Sequence, residues 1–301
     1  MHPPPSSDRP LAGIELGGTK AIALVAVGST IREQVSLPTR WPDETLPPLA
    51  EWLAERAPDG GFGGLGLATF GPARIGRDHP DFGQIAVTPK PGWSGAALVA
   101  PFAALGCPIA LDTDVNAAAL AEYRWGAGQG ATSLAYITLG TGLGVGLLVE
   151  GRPVHGRLHP EAGHLQWRRA PGDDFAGACP FHGDCGEGLL CGPALAARFG
   201  QPPADVPADD PRWNPVAHDF AQLLASLILT VSPQKILLGG GVGLGAPHLL
   251  AAAIERVPAL LNGYFPDVDL AVLEQTIRPA GLGAQAGPMG AVALAIDAAA
   301  T

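Results

Sequence analysis

One arrangement is written twice in this chain: a short apolar run, a Gly-rich turn with a hydroxyl at its tip, and a second apolar run. The first copy is Leu11 to Gly17, the turn Gly17-Gly18-Thr19-Lys20, and Ala21 to Val27; the second lies within Ser133 to Glu150, with Gly140-Thr141-Gly142 as its turn. Runs this short, bounded by turn residues, read as paired strands rather than helices. Gly17 aligns with Gly140, and the segments that follow, VGSTIREQVSLPTR and VEGRPVHGRLHPE, run parallel. The repeat predicts two related domains facing one cleft. A Gly turn with a hydroxyl and a Lys at its tip can aim several amides at a phosphate; the competing reading is an ordinary hairpin turn that needs positive φ.

Between and beyond the copies the punctuation is that of an α/β chain. Ile31 to Pro38 reads as a third strand, Asp43 to Arg56 as a helix, and Leu65 to Phe70 as a buried strand. Ala73 to Gly95 is turn-rich and contains Thr88-Pro89-Lys90-Pro91-Gly92-Trp93, where Lys90 and Trp93 could rim a sugar site or belong to a solvated loop with a packed Trp. Ile109 to Leu111 is a short strand, Asp112 to Asn116 follows, and Ala117 to Trp125 is a helix. Asp114 therefore sits where a strand gives way to a helix N-terminus, where α/β sheets bind ligands and the dipole favours a charged carboxylate. It suits a proton acceptor, and Asp112 or Asp114 suits an N-cap.

Further on, Pro193 to Gly200 reads as helix, Gln201 to Pro215 as loop, and Val216 to Val231 as a helix with His218, Asp219 and Gln222 on its polar side. Gln234 to Leu238 is a strand that runs into a third Gly turn, Gly239-Gly240-Gly241-Val242, followed by the helix Pro247 to Leu261. The alanine-rich helix Gly287 to Ala299 is expected to return to the first domain. No G-x4-G-K-[ST] string occurs, and Gly241 to Ala246, the nearest approach to a dinucleotide fingerprint, lies far from the first strand.

Composition narrows the classes. With 301 residues, 47% hydrophobic and 15% charged, the chain can bury a substantial core, as two domains or one large α/β domain. A net charge of −10 argues against nucleic acid or an anionic membrane as partner, so a bound phosphate must be held by amides, a metal and a few local cations. Residues 1–10 read as a flexible leader without a signal-peptide h-region, and no apolar run is long enough for a membrane span. Four cysteines and no sign of an oxidising compartment fit a reducing cytoplasm.

Residues 159–192 gather soft ligands. Cys179, His182 and Cys185 are spaced to close on one ion, and His164 can return as the fourth ligand of a tetrahedral Cys2His2 zinc site, flanked by Glu161 and Glu187. Four protein ligands leave no open position, so the zinc is expected to be structural. Cys107 reads as a small core hydrophobe, and Cys191 as either that or a substitute ligand whose spacing fits less well.

Taken together, GIELGGTK (Gly13 to Lys20), Asp112 to Asn116, Thr138-Leu139-Gly140-Thr141-Gly142-Leu143-Gly144, His159-Pro160-Glu161-Ala162-Gly163-His164, Cys179 to Glu187 and Leu238-Gly239-Gly240-Gly241-Val242 resemble the ROK family of sugar kinases, in its fructokinase branch. The resemblance implies an α/β, actin-like (ribonuclease H-like) two-domain ATPase fold with a zinc-binding loop. Residues 11–112, with the helix 287–299, would form one domain, and residues 113–286, with the zinc loop 159–192, the other. It implies transfer of the γ-phosphoryl of Mg-ATP to a hexose, most readily D-fructose to fructose 6-phosphate. Asp114 is then similar to the catalytic base, Glu161, His164, Glu187 and Thr113 to sugar ligands, and Gly17, Gly18, Thr19 and Lys20 with Gly140, Thr141 and Gly142 to phosphate turns. Gly240 and Gly241 resemble part of the adenosine wall, Glu15 a magnesium residue, and His164, Cys179, His182 and Cys185 the zinc ligands.

Glu15 stands where many members carry Asp, and Thr113 where glucose-type members carry Asn; with Pro89 to Trp93 and the Cys/His knuckle these point toward fructose. The alternatives are a kinase for glucose, mannose or an N-acetylhexosamine, and a sugar-responsive regulator, against which stands the shortness of the segment before the first strand. A homodimer is expected from the resemblance, and no nucleic-acid or membrane partner.

Overall fold

A computed structural model of the chain describes residues 9–301. The leader expected over residues 1–10 falls, but for its last two residues, outside the described residues. In chain order come β1 (Leu11–Leu16), β2 (Lys20–Val27), β3 (Thr30–Pro38), α1 (Pro42–Ala54), β4 (Leu65–Thr69), β5 (Ile109–Thr113) and α2 (Asp114–Trp125). The chain continues through β6 (Ser133–Leu139), β7 (Leu143–Val149), β8 (Arg152–Pro153), α3 (Gly186–Leu190), α4 (Gly192–Phe199) and α5 (Trp213–Val231). It closes with β9 (Lys235–Gly239), α6 (Gly241–Gly245), α7 (Pro247–Leu261), α8 (Leu270–Thr276), β10 (Ile277–Pro279) and α9 (Ala286–Ala299). Among the described residues no helix is long and apolar enough to cross a membrane.

The described residues divide into two units, the first made of residues 9–126, 152–160 and 284–301, the second of 127–151 and 161–283. In the first unit a sheet runs in the order β3-β2-β1-β4-β5, antiparallel across the hairpins and parallel from β1 through β4 to β5. Period-two alternation sorts its side chains. Ile14, Leu16, Leu65, Leu67 and Leu111 join Leu46, Leu49 and Leu53 of α1 and the fully buried Trp93 and Phe102 in one apolar core. The other face carries Gly13, Glu15 and Gly66, and α9 lies directly on it: a Cβ at Gly66 would stand 2.0 Å from the Ala291 carbonyl oxygen. Backbone contact this close needs glycine. Arg124 of α2 clamps the same helix, its Nη2 donating to both carboxylate oxygens of Asp297, at 2.6 and 2.8 Å.

In the second unit β10, β9, β6 and β7 lie side by side, parallel from β10 to β6 and antiparallel at the β6–β7 hairpin. The apolar face of α5 is buried along its length. One residue departs from the pattern its sequence suggests: Asp219, expected on the polar side of this helix, has no exposure at all. It accepts from Arg198 of α4 at 3.1 Å and from the Trp167 indole at 3.3 Å, while Asp173 joins Arg198 and Arg169. Paired guanidinium groups make a buried carboxylate tolerable, and they fasten the loop between Trp167 and Asp184 to the helices.

Candidate active site

In the first unit the parallel strands end level with one another. Leu16 of β1 pairs with Thr69 of β4, which pairs with Thr113 of β5. The Gly17–Lys20 turn and Asp114 therefore leave the same sheet edge, two strand spacings or about 10 Å apart. This is the carboxyl edge at which open α/β sheets bind ligands. The helix behind Asp114 starts one turn earlier than its alanine run suggests, because Thr113 caps it by accepting the Asn116 amide at 3.2 Å. Neither Asp112 nor Asp114 is the cap. Asp114 is thus the first residue of α2, its carboxylate receiving the Val115 amide at 2.9 Å, within reach of the positive end of the dipole.

Asp112 has a different task. Its Oδ1 accepts the Thr113 amide at 2.7 Å and the Asn116 side-chain amide at 2.8 Å, while its Oδ2 faces His155 Nε2 at 2.8 Å. The strand-to-helix corner that carries Asp114 is therefore locked from behind. The hydrogen bond to Asp112 holds the His155 pKa above the ordinary imidazole value, against burial, which lowers it. A raised folded-state pKa means the pair's stabilisation is complete below about pH 6.5 and fades as pH rises through the higher folded value. The gap in melting temperature between the wild type and His155→Ala is accordingly expected to be wide at about pH 5.5 and to close only as pH rises through the raised folded value. A gap that widens with pH would contradict this pairing. Nothing in the sequence marks His155, because its partner lies 43 residues away.

Glu15, on β1, points under α9, where a Cβ at Gly287 would meet its carboxylate at 2.1 Å. Among the described residues its buried Oε2 finds no hydrogen-bond partner, and burial raises its pKa while Lys20 lowers it. An orphaned carboxylate oxygen beside a Gly turn fits a divalent cation held with a phosphate.

The second unit holds the remaining candidates. Its β6–β7 turn carries Gly140, Thr141 and Gly142, and β9 runs parallel to β6 so that Gly239 pairs with Thr138. Gly240 follows with φ +82°, and a Cβ there would lie 2.4 Å from the Leu139 carbonyl oxygen. The two Gly turns touch backbone to backbone, and the Gly192 amide at the head of α4 donates to the Gly140 oxygen at 2.7 Å. Glu187 accepts the Leu143 amide at 3.2 Å. Burial, and then the nearby Glu187, push the Glu161 carboxyl up to about 7, although the residue keeps contact with solvent. A pair of carboxylates of which one holds its proton can both donate to and accept from vicinal hydroxyls.

Beside them the chain closes into a knuckle: Cys179 N–H donates to the Gly183 oxygen at 3.1 Å and Gly183 N–H to the Cys179 oxygen at 3.0 Å. The donor atoms of His164, Cys179, His182 and Cys185 all lie within 4.8 Å of one another. His164 Nδ1 is 3.4 Å from Cys185 Sγ and 3.8 Å from Cys179 Sγ, and His182 Nδ1 is 3.8 Å from Cys179 Sγ. Ordinary zinc–sulfur and zinc–nitrogen bond lengths give tetrahedral S···N edges of about 3.6 Å, so the set fits zinc. Cys191 stays outside it, buried, with burial pushing its thiol up to about 11. Cys107 is half-buried against the first core.

Two mixed sheets in two α/β units, with Gly-turn hairpins opening each, define an actin-like sugar-kinase fold. The chain belongs to the ROK family, whose pattern matches residues 11–298. It is 41% identical to the fructokinase of Zymomonas mobilis over 300 residues, 97% of this chain and 98% of that one. A fructokinase of Pediococcus pentosaceus is 36% identical over 95% of this chain and 97% of its own length. Among solved structures, the ROK hexokinase of Thermus thermophilus superposes with a TM-score of 0.74 at 32% identity, covering 95% of this chain and 97% of the other.

Proposed function

We propose that this chain phosphorylates D-fructose with ATP, giving fructose 6-phosphate. The observation that carries the reading is full-length similarity to proteins named fructokinase, 41% for the first, joined to residues in each unit whose chemistry suits phosphoryl transfer.

In this reading Asp114 accepts the proton of the attacking sugar hydroxyl. Its place as first residue of α2 sets it beside the positive end of the helix dipole, and the Asp112 network keeps it aimed. The amides of the Gly17–Lys20 and Gly140–Gly142 turns receive phosphate oxygens, and Gly240 and Gly241 lie flat enough to wall an adenosine. Thr113, Glu161, His164 and Glu187 hold sugar hydroxyls. Magnesium, bound with the nucleotide near Glu15 and the first turn, would neutralise phosphate charge. Zinc on His164, Cys179, His182 and Cys185 would brace the sugar-binding loop, and with Nδ1 turned to the thiols His164 would keep Nε2–H free to donate to a hydroxyl. A homodimer rests on the family likeness, and a cytoplasmic setting on the cysteine usage.

The test is a panel of free sugars with Mg-ATP, read by ADP release. Fructose is expected to exceed glucose, mannose and N-acetylhexosamines in kcat/KM by at least about tenfold, the discrimination a few misplaced hydroxyls produce. Glucose or mannose in first place would overturn the fructose assignment while leaving the kinase; no turnover with any hexose would overturn both.

A further inference from the structure

The loop from Thr88 to Trp93 is fastened to the first Gly turn. Trp93 is fully buried, its indole N–H donating to the Arg40 oxygen at 2.7 Å and its ring edge-on to Phe70 at 5.1 Å. Gly92, at φ +78°, lies flat on Trp41, where a Cβ would come within 2.0 Å of the ring. The Thr88 amide donates to Ser94 Oγ at 3.1 Å. From this braced turn Lys90 reaches across, and its ammonium donates to the Gly18 carbonyl.

That contact completes a pattern. The Gly17 oxygen accepts Thr39 Oγ1 at 2.8 Å, the Thr19 oxygen accepts the Thr39 amide at 2.9 Å, and the Lys20 oxygen accepts the Gly17 amide at 3.0 Å. Every carbonyl of the turn is occupied, whereas the Gly18 and Thr19 amides have no backbone carbonyl partner among the described residues. What the turn offers is N–H. A lysine ammonium carries three donors, one of which is spent on Gly18. Burial lowers the Lys90 pKa, the cost of holding a cation partly out of water, which an arriving anion relieves.

We propose that Lys90 is a catalytic residue that donates to the terminal phosphoryl group of ATP on the Gly18–Thr19 amides and takes up its charge during transfer. The proposal rests on reading Gly17–Lys20 as a phosphate turn. In the step, the bond from the γ-phosphorus to its bridging oxygen breaks and that oxygen leaves with the electron pair on ADP. A bond from the sugar hydroxyl oxygen to phosphorus forms, and the hydroxyl proton passes to Asp114. Lys90 stays protonated throughout, so a permanent guanidinium can replace it in part but a neutral chain cannot.

The experiment compares Lys90→Met and Lys90→Arg with the wild type. Lys90→Met is expected to lower kcat about a hundredfold, the scale of losing one donor to developing charge, with Lys90→Arg recovering part of it. ADP affinity, by calorimetry, should change less than about threefold, while affinity for a non-hydrolysable ATP analogue should fall about tenfold. Unchanged kcat in Lys90→Met, or a loss confined to the KM for fructose, would overturn the assignment. Gly18→Val separates the two readings, because a Cβ there meets nothing within 4 Å in the protein, whereas the side chain would crowd a phosphate on the turn. A fully active Gly18→Val would sink the phosphate turn itself; an inactive Gly18→Val beside an active Lys90→Met would sink only the role of Lys90.

Discussion

Asp114→Asn is expected to lower turnover of fructose by about a hundredfold or more while its KM stays near the wild-type value. The amide matches the carboxylate in size and can still receive the Val115 N–H that Asp114 accepts at 2.9 Å, so α2 and its Thr113 cap survive. What is lost is the capacity to take a proton. Phosphoryl transfer depends chiefly on positioning and charge neutralisation, so a remnant of activity from the Gly turns should persist. Steady-state kinetics with Mg-ATP checks both halves: near-normal kcat would remove Asp114 from the chemistry, and a large rise in KM alone would make it a sugar ligand.

Cys185→Ser is expected to strip one zinc from each chain, lower the melting temperature by several degrees and raise the KM for fructose about tenfold or more. Cys185 has no exposure, and it precedes α3, on whose first turn Glu187 stands. His164, a second proposed sugar ligand, is itself among the four residues that could hold the ion. Losing a bound ion would therefore loosen Glu187 and His164 together. Metal analysis, differential scanning calorimetry and kinetics on the variant and on chelator-treated wild type check this, with recovery on adding zinc back. Wild-type protein that holds no stoichiometric zinc and is fully active would dismiss the metal.

The hairpins, the long helices and the Cys/His knuckle were legible because each is a local pattern: short runs between glycines, a 3.6-residue period, ligands within a few residues of a tight turn. Features set by distant partners were not. Asp219 looks solvent-facing on a helical wheel because Arg198 and Arg169, which neutralise it, belong to other segments. Asp112 and His155 meet through the return of the chain after β8, and Lys90 finds Gly18 across 72 residues. Between Leu270 and Pro279 the seven-residue α8 and three-residue β10 are too short for a period to show. The start of α2 depended on which of three adjacent polar residues caps it, and Thr113, with an extended backbone, does.

The most direct measurement is the product itself. Carbon-13 and phosphorus-31 NMR of a reaction of fructose with Mg-ATP should show one equivalent of ADP and a phosphate coupled to C6 of the sugar. Release of inorganic phosphate without a sugar phosphate, or a phosphate on any other carbon, would contradict the account.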